Sequence, residues 1–149
     1  MTSPTIRPAR PDEYDEVAHV WMESWVTTGL EQASDVLLTN LRARLRREIE
    51  RGWSLFVADD HGTLAGMLAL HVSDHVLGQL FVAPDYHGKS VGRQLLAFTR
   101  ELLPDEIWLR CARENEKAWR WYEREGFVFE EEKLSPVTGL MMKQYRWKR

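Results

Sequence analysis

The stretch Val82-Ala83-Pro84-Asp85-Tyr86-His87-Gly88-Lys89-Ser90-Val91-Gly92-Arg93 joins an apolar run to a glycine-punctuated turn that opens a helix. Upstream, Val76 to Val82 (V-L-G-Q-L-F-V) reads as a strand that Pro84 stops. Downstream, Val91, Leu95, Phe98 and Leu102 fall on one helical stripe. Such a junction suits an anion, because the N–H groups of a first helical turn lack internal partners and carry the positive end of the helix dipole. Lys89 adds mobile positive charge. The same pattern also serves an ordinary loop entering a helix, so a second feature has to decide between them. A triphosphate-binding P-loop is excluded by spacing: counting back from Gly88-Lys89-Ser90, its first glycine falls on Ala83.

Working outward, Thr5 to Arg7 is a short extended start closed by Pro8 and Pro11. Asp12, Glu13 and Asp15 then supply the acidic first turn of a helix with Val17, Trp21 and Trp25 at i, i+4, i+8, ending near Gly29. A second helix, Ser34 to Arg51, buries Leu37, Leu41, Leu45 and Ile49. Its arginines 42, 44, 46, 47 and 51 alternate with Glu48 and Glu50, which reads as a solvated face rather than a nucleic-acid surface. From Trp53 the period changes to a hairpin turning at Asp59 to Gly62. The isolated Gly78 in the next strand marks a bulge or a close approach. Glu106 to Ala112 is a strand, Asn115 to Glu125 a helix, and Phe127 to Leu134 and Leu140 to Trp147 are the last strands. This order predicts an α/β (α+β) fold, a mixed sheet with helices on its faces, within one domain over residues 1–149.

At 149 residues, 44% hydrophobic and 29% charged, the chain has the composition of a globular domain. A net charge of −3 offers no global attraction to nucleic acid or membrane. The lone Cys111 sits in an apolar run and reads as an inert buried thiol. No signal-peptide core opens the chain, and nothing approaches the ~20 apolar residues of a membrane span, so a cytoplasmic location is expected.

The second feature is Leu109 to Phe127, where Asn115, Ala118, Trp119 and Tyr122 stand at i, i+3, i+4 and i+7 on one helical stripe. A carboxamide and a phenol flanking a small alanine make a narrow slot with polar ends. Alone, Asn115 also reads as an N-cap, Gly126 as a helix stop and Tyr122 as an amphipathic core residue. Together, the two segments resemble the Gcn5-related N-acetyltransferase superfamily over roughly residues 53 to 147. Val82, Pro84 and Tyr86 match its lead-in, followed by His87-Gly88-Lys89-Ser90-Val91-Gly92-Arg93 and Leu95-Leu96. Asn115, Ala118, Tyr122, Gly126 and Phe127 match its later N-x-x-A-x-x-x-Y-x-x-x-G-F pattern in full. His87 stands where Arg or Gln is usual, and Ser90 where the first signature glycine is usual. His87 retains a backbone N–H and a ring donor for phosphate; serine at position 90 would be strained if that position needs a positive φ.

The resemblance implies six to seven strands, about four helices and splayed central strands. It further implies direct acetyl transfer from acetyl-coenzyme A to a small-molecule or protein amine, without metal, by a monomer or homodimer. The coenzyme would contact Leu80, Phe81, Val82, His87, Gly88, Lys89, Ser90, Val91, Gly92, Arg93, Asn115, Ala118 and Tyr122. A backbone N–H at Phe81 or Val82 would face the thioester oxygen, and Tyr122 would protonate the leaving thiolate. Arg110 stands where some relatives carry a catalytic glutamate, so no base is assigned; His71, Asp74 and His75 lie near strand ends where a base could sit. Trp21, Trp25, His71 and Arg110, with the turn from 135 to 139, are the expected acceptor contacts. Two other readings stay open at this stage: a non-catalytic module that binds the coenzyme, and an interaction protein working through residues 42 to 51.

Overall fold

The computed structural model describes residues 3–28, 34–136 and 138–149, with 34–36 as backbone only. The expected end of the first helix near Gly29, and Val137 within the expected acceptor turn, lie outside the described residues. The elements are β1 (Thr5–Pro8), α1 (Tyr14–Val26), α2 (Ser34–Glu50), β2 (Ser54–Asp60), β3 (Thr63–His71), β4 (Val76–Val82), α3 (Val91–Leu102), β5 (Glu106–Ala112), α4 (Glu116–Arg124), β6 (Val128–Leu134) and β7 (Met141–Lys148). They build a seven-stranded mixed sheet in the order β1-β2-β3-β4-β5-β7-β6, in which β4 and β5 are the parallel pair. The element order and fold class match the sequence expectation.

The helices cover both faces. Val17, Trp21, Leu41 and Leu45 of α1 and α2 are buried against Val57, Met67 and Ala69 on one face. Leu95 and Leu96 of α3, with Tyr122 and Phe127, are buried against Leu68, Leu70, Ile107, Leu109 and Tyr145 on the other. Two helices differ in detail from the sequence expectation. On α3 the inward set is Val91, Leu95, Leu96 and Thr99, while Leu102 in the last turn is exposed. Helix α1 begins at Tyr14 because Pro11–Glu13 winds as a 3₁₀ turn.

That turn is tied to the sheet by one carboxylate. Glu13 is buried and accepts hydrogen bonds from Arg7 Nη1 at 2.9 Å, Arg7 Nη2 at 2.7 Å and the Arg10 backbone N–H at 2.8 Å. The Arg7 hydrogen bond holds its pKa down to about 2 from 4.5. A depressed carboxyl stabilises the fold above its unfolded pKa and loses that contribution as pH falls through the folded value. Glu13→Gln should therefore cost roughly 1–3 kcal/mol at pH 7 by urea unfolding. The gap between wild type and variant should close as pH falls from about 4.5 to about 2. A pH-independent difference would mean that the charge is not what matters.

The sheet splits where β4 meets β5. Their pairing is confined to Val76 opposite Trp108, with the Trp108 N–H bonded to the His75 carbonyl at 2.9 Å. Gly78 supplies the reason. Ala69 pairs with Gln79 and Leu70 with Leu77, so Gly78 is the extra residue of a β-bulge that bends β4 away from β5. A Cβ there would stand 2.9 Å from Trp53 Nε1, so the bulge is also a close approach, made by an indole ring.

Candidate active site

A cleft of about 1720 Å³ runs through the split, from the α3/α4 face of the sheet to the α1/α2 face. Of the residues singled out above, it is lined by Leu80, Phe81, Val82, His87, Gly88, Ser90, Val91, Gly92, Arg93, Asn115, Ala118, Tyr122, Trp21, Trp25 and Arg110. Two residues depart. Lys89 projects outward, its ammonium 5.4 Å from the Tyr86 ring centroid. His71 turns toward Gly52 and Asp74, with Nδ1 3.3 Å from the Asp74 carboxylate. Neither His71, Asp74 nor His75 lines the cleft, because the short turn after β3 folds back on its own side.

At the entrance to α3, Gly88 (φ 78°) and Ser90 (φ 65°, ψ 14°) are both left-handed. A turn that includes left-handed residues can aim successive N–H groups at one point, where an anion is favoured. The first helical bond runs from the Gln94 N–H to the Ser90 carbonyl, and no side chain caps the helix. The amides of Val91, Gly92 and Arg93 therefore have no partner among the described residues. Gly92 keeps the approach open: its neighbours are Trp121 and Val82, both 3.6 Å from where a Cβ would stand.

Ser90 thus occupies the conformation that glycine accepts freely, at a cost of order 1 kcal/mol for a side chain. Ser90→Gly should leave stability unchanged or raise it by up to about 1 kcal/mol, read as the urea midpoint. A clear loss would mean that the serine hydroxyl has a structural task.

His87 lines the cleft with its donors engaged inside the protein. Its backbone N–H bonds to the Pro84 carbonyl at 3.2 Å, and its Nε2 lies 2.9 Å from the Val82 carbonyl. Both donors are used inside the proline turn. The Ser24 hydroxyl of α1 also donates to the Val82 carbonyl, so two elements fix the end of β4. Nothing in the sequence announces Ser24, since 58 residues separate it from Val82.

The register also decides between Phe81 and Val82. The Ala83 N–H bonds to the Ala65 carbonyl at 2.9 Å, and pairing continues unbroken through Met67–Phe81 and Ala69–Gln79. Narrow hydrogen-bonded pairs alternate in an antiparallel ladder, so Phe81 points its N–H at β3. Leu80 and Val82 point theirs into the split.

On the opposite wall, Asn115, Ala118 and Tyr122 line the cleft, with Trp121 in place of Trp119. Trp119 turns away to donate to the Arg113 carbonyl at 3.0 Å and to carry Lys143 over its ring at 4.0 Å. Asn115 holds the N-cap position without bonding the helix through its side chain, which leaves the carboxamide for the cleft. Tyr122 is buried between Trp121 and Phe127, at 5.0 and 5.4 Å between ring centroids. No described residue hydrogen-bonds its hydroxyl. Burial, and then proximity to Cys111, push the phenol above its ordinary range. Burial also raises the Cys111 thiol to about 12, consistent with an unreactive cysteine.

The sheet is thus split, with unpartnered helix amides on one wall of the cleft and the buried phenol of Tyr122 on the other. Residues 14–127 match the model of the acetyltransferase (GNAT) family, and the chain belongs to that family of acetyltransferases. No curated protein matches the sequence. Among solved structures, a GCN5-related N-acetyltransferase from Rhodopseudomonas palustris aligns with a TM-score of 0.84 at 17% identity, covering 100% of this chain and 98% of that one. The apo form of YjaB from Escherichia coli aligns at 0.81 and 23% identity, over 99% and 98%. The PaiA N-acetyltransferase from Thermoplasma acidophilum, solved in complex with coenzyme A, aligns at 0.78 and 20% identity, over 100% of both chains. Among the described residues, no group of three or more His, Cys, Asp or Glu is placed to hold a metal ion, and no helix is long and apolar enough to cross a membrane.

Proposed function

We propose that residues 1–149 act as a single catalytic domain that transfers an acetyl group from acetyl-coenzyme A to a primary amine. The observation that carries this reading is the shared cleft: the unpartnered amides of Val91, Gly92 and Arg93 and the Tyr122 hydroxyl line one passage through the β4/β5 split. When bound, acetyl-coenzyme A supplies the activated thioester.

The chain's own residues have three tasks. The amides after Ser90 hold the pyrophosphate, an anion that a helix entrance favours by charge and by donor supply. The Val82 N–H, aimed into the split, is a preformed donor for negative charge developing on the acyl oxygen. Tyr122 keeps its proton through the physiological range because burial disfavours the phenolate; as the new N–C bond forms and the C–S bond breaks, it gives that proton to the departing sulfur, and the proton lost by the amine nitrogen returns through solvent to the phenol. Asn115 and Ala118 shape the slot between the anion seat and the phenol.

The test is thiol release from acetyl-coenzyme A with and without a panel of primary amines. Amine-dependent release is the expected result. Saturable coenzyme binding with no amine-dependent release would reduce the chain to a binding module and sink the proposal.

A further inference from the structure

The cleft has two mouths of different character. Side chains alternate along β5, so Ile107, Leu109 and Cys111 face α3 and α4, while Trp108 and Arg110 face the α1/α2 side. At that second mouth stand Trp21 and Trp25 of α1, Arg44 and Arg47 of α2, and Trp108 and Arg110 of β5.

The arginines of α2 divide by partner. Arg42 and Arg46 reach Asp15 at 3.7 and 2.9 Å, and Arg51 reaches Glu48 at 3.9 Å. Arg44 and Arg47, the two that line the cleft, form no ion pair among the described residues. Among the described residues Arg110 meets only the Gln144 carboxamide oxygen at 3.4 Å and the Trp108 ring at 5.8 Å. Arg44 is half-buried, its guanidinium 5.3 Å from the centroid of Trp21, which in turn stacks on Phe81 at 6.0 Å. Burial lowers its pKa, outweighing the attraction of Glu48, and the Arg47 charge lowers it further, although a guanidinium stays charged at neutral pH. Desolvating a cation that no carboxylate contacts directly is costly, and a ligand that brings an anion into contact recovers that cost. The described acidic side chain on the cleft wall is Glu114, on the α4 side.

We infer that the acceptor is a small amine that also carries a carboxylate, held by Arg44 with Arg47 and Arg110 while its amine enters the split. This rests on the transferase reading above and adds the substrate class. The stack from Arg44 through Trp21 to Phe81 ties the guanidinium to β4 through two aromatic rings. The three aromatic rings give the body of such a molecule an apolar wall. The same positive field disfavours ammonium over free amine, which lessens the need for a carboxylate base at the position Arg110 occupies. It also opposes polycationic acceptors.

The experiment compares phenylalanine, glutamate and lysine, each against its own α-carboxamide, by kcat/KM for thiol release in wild type, Arg44→Met and Arg44→Lys. The methionine keeps an apolar stem on Trp21 without the charge. A charged, forked contact predicts a preference of about 10- to 100-fold for the acid over its amide in at least one pair. That ratio should collapse toward unity in Arg44→Met, through KM for the acid, and be partly kept in Arg44→Lys. Transfer with equal or better use of the amides overturns the acceptor class and leaves the transferase reading standing. If no amine supports release, the transferase reading falls, and quenching of the cleft tryptophans by the N-acetyl acids and N-acetyl amides judges the anion site separately. Tighter binding of the acids upholds it and equal binding overturns it.

Discussion

Replacing Tyr122 by phenylalanine should lower kcat for acetyl transfer by about 10²–10⁴-fold, the usual worth of a positioned proton donor. The ring is buried and packed on Trp121 and Phe127, and the substitution removes one oxygen that no described residue bonds, so stability should change little. KM for acetyl-coenzyme A should stay within a few-fold of wild type, because the proposed anion seat lies on α3 and not on α4. Steady-state kinetics with a thiol readout decide the matter. The pH profile adds a second check: burial raises the phenol's pKa, so wild-type turnover should show no basic limb from Tyr122 at or below pH 10, the ordinary value for tyrosine. A Tyr122→Phe enzyme with unchanged kcat would remove the phenol from the mechanism.

The second large effect is expected at the anion seat. Ser90→Asp places a carboxylate at the N-cap of α3, where acids favour the helix and where the left-handed backbone suits Asp better than most residues. The folded protein without ligand should therefore be at least as stable as wild type. Coenzyme binding should weaken by about 10²–10³-fold, since a like charge within ~5 Å of a pyrophosphate costs about 3–4 kcal/mol at an effective dielectric near 20. Calorimetric titration with coenzyme A, alongside thermal unfolding, separates the two effects. Tight binding retained in Ser90→Asp would show that the pyrophosphate lies elsewhere. A loss of both stability and binding would point to damage at the turn.

Much of the architecture can be read from periodicity. The change from a helical to a strand period at Trp53, the proline stop at Pro84 and the stripes of α1 and α2 arise from neighbours within a few residues of each other. Gly78 is legible for the same reason: an isolated glycine in an apolar strand marks backbone that cannot tolerate a side chain. The site is legible only in outline. His87 looks like a phosphate donor until the proline turn folds its ring onto the Val82 carbonyl. His71 looks like a candidate near the site until the turn after β3 directs it toward Gly52. Trp119 shares a helical stripe with Tyr122 but is drawn off by the Arg113 carbonyl. In each case a hydrogen bond or a turn outside the local pattern redirects the side chain.

The amino-acid order by itself determined the elements, their succession and the two segments that face each other, because those depend on local spacing and on backbone rules for glycine and proline. Tertiary structure alone decided that the Val82 amide, not that of Phe81, opens into the split, because strand register sets which way each N–H points. It also decided which arginines of α2 are paired with Asp15 and which form no ion pair among the described residues, because Asp15 reaches that helix only when α1 packs beside it.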